Sequence, residues 1–203
     1  MLVFTLLICL IYNKVMSLSK TQQKKEKLKE LVWYICKNYN NQLFETKLWK
    51  LAFFCDADYF QKYGTLLTSV PYIKNKYGPT PVHSIAEQSI KELISNGFIV
   101  KSENNTFVAI KDYELKNLDS HQIDAINTTC DKYFKLTTDE ICTIAHRDPV
   151  YLSAEKFNDI LDFSFVAYRD DGATNKEDED DKLPKTISFN KKAQDNLLKM
   201  AMA

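Results

Sequence analysis

Apolar residues recur at helical spacing through most of this chain. Leu28, Leu31, Val32, Ile35 and Tyr39 lie three and four apart, which predicts a helix over about residues 21–38, punctuated by Asn40-Asn41. Leu48, Leu51, Ala52, Cys55, Tyr59, Phe60 and Tyr63 form the strongest amphipathic stripe in the sequence. Thr46 is placed to cap that helix and Gly64 to end it, with Lys47, Lys50, Asp56, Asp58 and Lys62 as its polar side. Leu66 to Lys74 is β-branched and apolar with Pro71 inside it, the pattern of an irregular segment or an edge strand. Pro79 and Pro81 forbid regular helix over Tyr77–Pro81, which reads as a turn or an extended loop.

Beyond that loop, Ile85, Ala86, Ser89, Ile90, Leu93 and Ile94 predict a helix over Val82–Ser95, stopped by Asn96-Gly97. Phe98–Lys101 and Thr106–Ile110 flank the polar turn at Asn104-Asn105, a hairpin pattern. Ile123, Ile126, Cys130, Tyr133 and Phe134 mark a further helix, and Thr138–His146 a short one capped by Thr138-Asp139. Phe157–Phe165 reads as a last helix of the compact region. The fold class expected is α+β and predominantly α-helical: a compact helical domain over residues 21–168 with a small antiparallel β-hairpin. Composition changes at Arg169, where seven acids and four bases up to Lys185 predict an acidic disordered linker over 169–186. Residues 187–203 read as a C-terminal helix with a thin apolar stripe at Leu197, Leu198 and Ala201.

Charge and cysteine usage narrow the function classes. Lys+Arg and Asp+Glu are both 27, so the net charge is +0 and a general affinity for nucleic acid is disfavoured. The seven lysines between Lys14 and Lys37 read as a solvated helix face. Five cysteines, at 9, 36, 55, 130 and 142, show no Cys-x-x-Cys spacing, so neither a disulfide framework nor a zinc site is indicated. A reducing cytoplasm is the simplest setting. Residues 1–20 are open to three readings. Leu2–Tyr12 is apolar but about half the roughly 20 residues needed to span a bilayer. It fits a signal or membrane segment, a packed element, or an over-extended reading frame ahead of a true start at Met16.

Catalytic constellations are weak. Four glycines and no P-loop leave nothing to cradle a phosphate. Cys142 and His146 fall four apart on a predicted helix, but a nucleophile also needs an orienting group and an oxyanion site. Asp56 and Asp58 point to different helix faces, and His83 with Glu87 is an i,i+4 pair. No enzymatic activity, cofactor, metal or small-molecule substrate is expected. Helix, turn, helix and hairpin over Val82–Ile110 also resembles part of a winged helix, which makes a DNA-binding transcription regulator the alternative. Its candidate recognition helix carries Lys91 against Glu87 and Glu92, a poor balance for meeting phosphates.

Three segments carry a family resemblance. They are Lys47–Phe60 leading to Gly64, with its Lys-Leu-x-Lys-Leu start; Tyr72–Pro81, ending in Tyr-Gly-Pro-x-Pro; and His146-Arg147-Asp148-Pro149 followed by Tyr151 and Ala154. Together, over Lys47–Phe165, they resemble the Panacea domain of the SocA-like antitoxins. Ala145 departs from the small hydroxyl common before the histidine, and Tyr151 stands near a common tryptophan. The resemblance implies an antitoxin of a toxin–antitoxin system, found in bacterial and phage genomes, that neutralises a cognate protein toxin by direct binding. It names a partner class, not a partner. Nucleic acid is not expected, and a membrane enters only through the first fifteen residues.

Loop chemistry assigns roles to the motif residues. Gly78 allows a turn where a side chain would collide, and Pro81 suits the first turn of the following helix. Asp148 is placed to cap a helix that has Pro149 at its first position, with His146 or Arg147 tying that corner to the tyrosine loop. Gly78, Pro79, Pro81, His146, Asp148 and Pro149 are thus structural candidates. Tyr72, Lys74, Tyr77 and Arg147 are candidates for contacting a partner, since aromatic and Arg anchors dominate protein interfaces.

Overall fold

The second helix, α2 (Glu45–Tyr63), is the axis of the molecule, because every residue from Lys47 to Ala57 is buried. A computed structural model describes residues 22–40 and 43–169. Helix α1 (residues 22–38) precedes α2. After it come strands β1 (Tyr72–Ile73) and β2 (Thr80–Pro81), helix α3 (His83–Ser95), and strands β3 (Ile99–Lys101) and β4 (Phe107–Ala109). Helices α4 (Ser120–Tyr133), α5 (Thr138–Arg147) and α6 (Pro149–Leu152) and a 3-10 turn (Phe163–Tyr168) complete the described chain. The architecture is α+β and predominantly helical, with two antiparallel strand pairs, β1–β2 and β3–β4.

Aromatic packing explains the position of α2. Phe53 meets Phe54, Tyr72 and Phe163, while Phe54 stacks on Tyr133 with centroids 4.1 Å apart. Phe53, Phe54 and Tyr72 are at most 1% exposed, and burial of each contributes about 2–3 kcal/mol. The expected polar side of α2 is largely inside. Lys47 lies over the Phe134 ring, Lys50 donates to a loop carbonyl, and Asp56 accepts from hydroxyls. Charge alone marked these residues as solvent-facing, whereas α2 is covered on all sides from Lys47 to Ala57; its last turns, with Lys62, reach solvent. Its start differs too: the N-cap is Phe44, with no side-chain cap, and Thr46 lies in the first turn. Gly64 ends the helix at φ 73, as expected.

Part of the lysine-rich face of α1 is recruited into packing, while Lys24 and Lys37 stay exposed. Lys25 and Lys29 hold Glu92 of α3, and Glu30, 1% exposed, accepts the backbone N–H groups of Lys116, Asn117 and Leu118. Helix α3 and the β3–β4 hairpin follow the sequence pattern, with Asn105 at φ 61 in the turn. Helix α5 is capped by Thr137, in a reciprocal box with Glu140, one residue before the expected cap.

Three further expectations are corrected. Pro81 does not enter a helix; it lies in β2 opposite Tyr72, and α3 starts at His83. Phe157–Phe165 is not α-helical. Asn158 adopts φ 71, and the segment runs beside β1 instead, with Lys74 N–H donating to Asp159, Asn158 N–H to Lys74 and Leu161 N–H to Tyr72. Only Phe163–Tyr168 winds into a 3-10 turn. Arg169, read as the start of the linker, is held in the domain by ion pairs to Asp58 and Asp148. The expected segments 1–20 and 187–203, and the linker from 170 onward, lie outside the described residues. Among the described residues no helix is long and apolar enough to cross a membrane.

Candidate functional site: the tyrosine loop and the lysine beneath it

The turn between β1 and β2 is built from short-range bonds. Gly78 N–H donates to the Asn75 carbonyl at 2.9 Å, and Tyr77 N–H to Asn75 Oδ1 at 3.1 Å. Gly78 sits at φ 93, a region that favours glycine. Space is tight as well: a Cβ there would lie 2.8 Å from Lys50 Cε, with His146 Cε1 at an ordinary contact distance of 3.6 Å. Lys50 passes through this gap, and its ammonium donates to the Pro79 carbonyl at 2.8 Å. Burial lowers the Lys50 pKa to about 8.

The α5–α6 corner clamps the loop from the other side. His146 sets its ring between two backbone carbonyls, Nδ1 2.7 Å from Cys142 O and Nε2 3.2 Å from Lys76 O. Tyr151 donates its hydroxyl to Asn75 O at 2.9 Å, and its ring meets the His146 ring edge to face. Asp148 accepts from Val150 N–H at the start of α6, where Pro149 occupies the first turn. The tie between corner and loop is thus made by His146, while Arg147 is exposed.

The candidate contact residues separate. Tyr72 is 0% exposed and donates its hydroxyl to Asp56 at 2.9 Å, so it belongs to the core and is corrected as a contact residue. Lys74 is committed to the Ala154 carbonyl at 2.7 Å and to the face of Tyr151. Tyr77, by contrast, is 60% exposed. Beside it a cleft of about 240 Å³ opens, lined by Glu45, Trp49, Lys50, Asn75, Tyr77 and His83 among others.

The groups considered for catalysis do not assemble. His146 Nδ1 faces the carbonyl of Cys142, and burial raises the Cys142 thiol pKa. Asp56 binds Thr68 and Tyr72, whereas Asp58 binds Thr129 and Arg169. Among the described residues no cluster of three metal-ligating side chains is present. On α3, Glu92 is held by α1 and Lys91 faces Glu87 at 3.8 Å, which leaves that helix no surplus of positive charge.

The matching family model is that of the antitoxin SocA-like Panacea domain, over residues 48–150. The chain belongs to the Panacea family. Neither the curated proteins nor the solved structures gave a significant match. The Panacea match spans α2, the β1–β2 loop, α3, the β3–β4 hairpin, α4, α5 and the start of α6. It stops short of Phe165, where the resemblance was drawn. Two residues missed as sites by sequence reasoning, Lys50 and Asp56, fall inside the Panacea region; a third, Arg169, falls outside it. Each gave only the signal of an ordinary charged residue, and its partners lie far along the chain.

Proposed function

We propose that this chain is a non-enzymatic antitoxin that neutralises a cognate protein toxin by direct contact, in a reducing cytoplasm. Membership of the Panacea family supports an antitoxin role. The observation that carries the contact surface is Tyr77, a large aromatic 60% exposed on a loop fixed by Lys50, His146 and Tyr151. A rigid exposed aromatic loses little conformational entropy on binding and is a common energetic anchor. Arg147, exposed on the adjoining corner, supplies a second anchor. The cysteines fit a reducing setting: Cys36, Cys55 and Cys130 are buried as free thiols.

The test is Tyr77→Ala. The ring is largely in solvent, so folding stability should shift by less than about 0.5 kcal/mol. Rescue of cells from the co-expressed toxin should fall sharply, and Arg147→Ala should weaken it further. If the alanine variant folds and neutralises as well as the wild type, this surface is not the one that meets the toxin.

A further inference from the structure

The geometry points to an occupant for the cleft beside Tyr77: an acidic side chain, glutamate or aspartate, presented by the protein partner and received by the Lys50 ammonium. This rests on the reading of the chain as a direct binder of a toxin. Lys50 is 1% exposed and lines the cleft. An ammonium has three donors, and the bond described for this one is to the Pro79 carbonyl at 2.8 Å. Among the described residues no carboxylate forms an ion pair with it. Burying a cation without a counter-ion is costly, and the depressed pKa reports that cost.

The surroundings add to the positive field. Helices α2 and α3 both start at the cleft, and neither N-terminus has a side-chain cap, since Phe44 and Val82 occupy those positions. The positive ends of two helix dipoles therefore meet beside Lys50. Two acids also line the cleft, Glu45 3.8 Å from Lys101 and Glu87 3.8 Å from Lys91, in exposed pairs that offset their charge only in part.

Size and wall chemistry select the anion. At about 240 Å³ the cleft is smaller than the roughly 300–1,000 Å³ of small-molecule sites and suits one inserted side chain. Trp49 and Ala86 offer apolar wall for the methylene stem of a glutamate. The lining holds one lysine, no arginine and no glycine-rich loop, so a phosphate would find no bidentate guanidinium and no nest of loop amides, only the lysine and the two helix ends.

The experiment titrates the full chain, followed by backbone amide NMR, with acetyl-Ala-Glu-Ala-amide, its glutamine counterpart, and inorganic phosphate. The glutamate peptide should shift the Tyr77, Thr80 and Ala86 amides at millimolar concentration, while the glutamine peptide binds about tenfold more weakly or worse. Lys50→Met should remove that selectivity. Equal binding of the two peptides, or retained selectivity in Lys50→Met, overturns the pocket; phosphate competing as well as glutamate overturns the choice of a protein side chain. The peptide comparison on the wild type decides even if Lys50→Met fails to fold. Cell rescue separates the two readings. If wild type and a folded Lys50→Met rescue equally, the pocket is overturned and toxin binding stands. If glutamate selectivity holds while the wild type rescues no cell from its co-expressed toxin, the toxin reading is overturned and the pocket stands.

Discussion

Replacing Lys50 by methionine should make the protein more stable at neutral pH, although it removes a hydrogen bond from the core. The folded-state pKa is about 8, against 10.5 for an ordinary lysine. At 1.36 kcal/mol per unit, the charged form is disfavoured on folding by about 3 kcal/mol. Below pH 8 both folded and unfolded chains carry the proton and the full penalty applies. Between pH 8 and 10.5 the unfolded chain holds a proton that the folded one has shed, so stability from this group rises with pH. Methionine keeps the length and apolar stem of lysine but abandons the Pro79 carbonyl, a loss of about 1–2 kcal/mol. The balance is a gain of about 1–2 kcal/mol at pH 7. That advantage should shrink by about 2–3 kcal/mol by pH 10. Urea denaturation of both proteins at pH 7, 8, 9 and 10 measures it. Buried tyrosines and cysteines titrate in both chains and cancel in the difference, except Cys142, whose thiol feels the Lys50 charge. A variant at least 2 kcal/mol less stable at pH 7, with a gap that does not move with pH, would show that Lys50 is not an unfavourably buried cation.

Other perturbations reach the same framework. Gly78→Ala should cost about 1–3 kcal/mol, because the new Cβ is held at φ 93 and lies 2.8 Å from Lys50 Cε; thermal unfolding should show the drop. Asp56, fully buried, has its carboxyl pushed up to about 6 by desolvation, so its stabilising contribution is complete below pH 3.8 and is lost as pH rises through 6. Stability should therefore fall by about 2 kcal/mol between pH 4 and 7 relative to Asp56→Asn, in paired denaturation curves. Arg169→Ala strands the carboxylates of Asp58 and Asp148 and should cost about 3 kcal/mol, and a chain ending at residue 168 should be less stable by as much than one ending at 169.

How much of this was legible depended on where each residue finds its partner. Helices α1 and α3 and the β3–β4 hairpin are set by local pattern: apolar spacing, Asn96-Gly97 and the Asn104-Asn105 turn act within a few residues of one another. Asp148 and Pro149 were readable for the same reason, since cap and helix are adjacent. Lys50 and Asp56 were not. One meets a carbonyl 29 residues away and the other a hydroxyl 16 residues away, and charge alone argued for solvent. Phe157–Phe165 failed differently: its apolar residues fit a helix, but Phe157 and Ile160 are exposed and the backbone pairs with β1. Tyr72 looked like a surface anchor because it begins the tyrosine motif, yet it lies in β1 with its side chain in the core, while Tyr77 sits on the turn beyond that strand, in solvent.

The three segments that carry the family resemblance are distant in sequence, and they converge at Gly78. A methyl group on Gly78 would press on Lys50 of α2, 2.8 Å from its Cε, and touch His146 of α5 at 3.6 Å. Their joint presence is therefore a packing solution in which each residue is interpretable only beside the other two. A packing motif alone would favour a neutral, shape-matched residue at position 50, since methionine fills the space without the desolvation cost. A cation there is costly to the fold, and stability given up at a defined place is a common mark of function. Gly78 keeps the passage open, Lys50 brings charge to the cleft, and Tyr77 at 60% exposure stands over the rim. On that division of labour, substitutions at Gly78 should damage fold and binding together, those at Tyr77 binding alone, and Lys50→Met should move stability and binding in opposite directions. A contact surface elsewhere on the molecule predicts no such opposition.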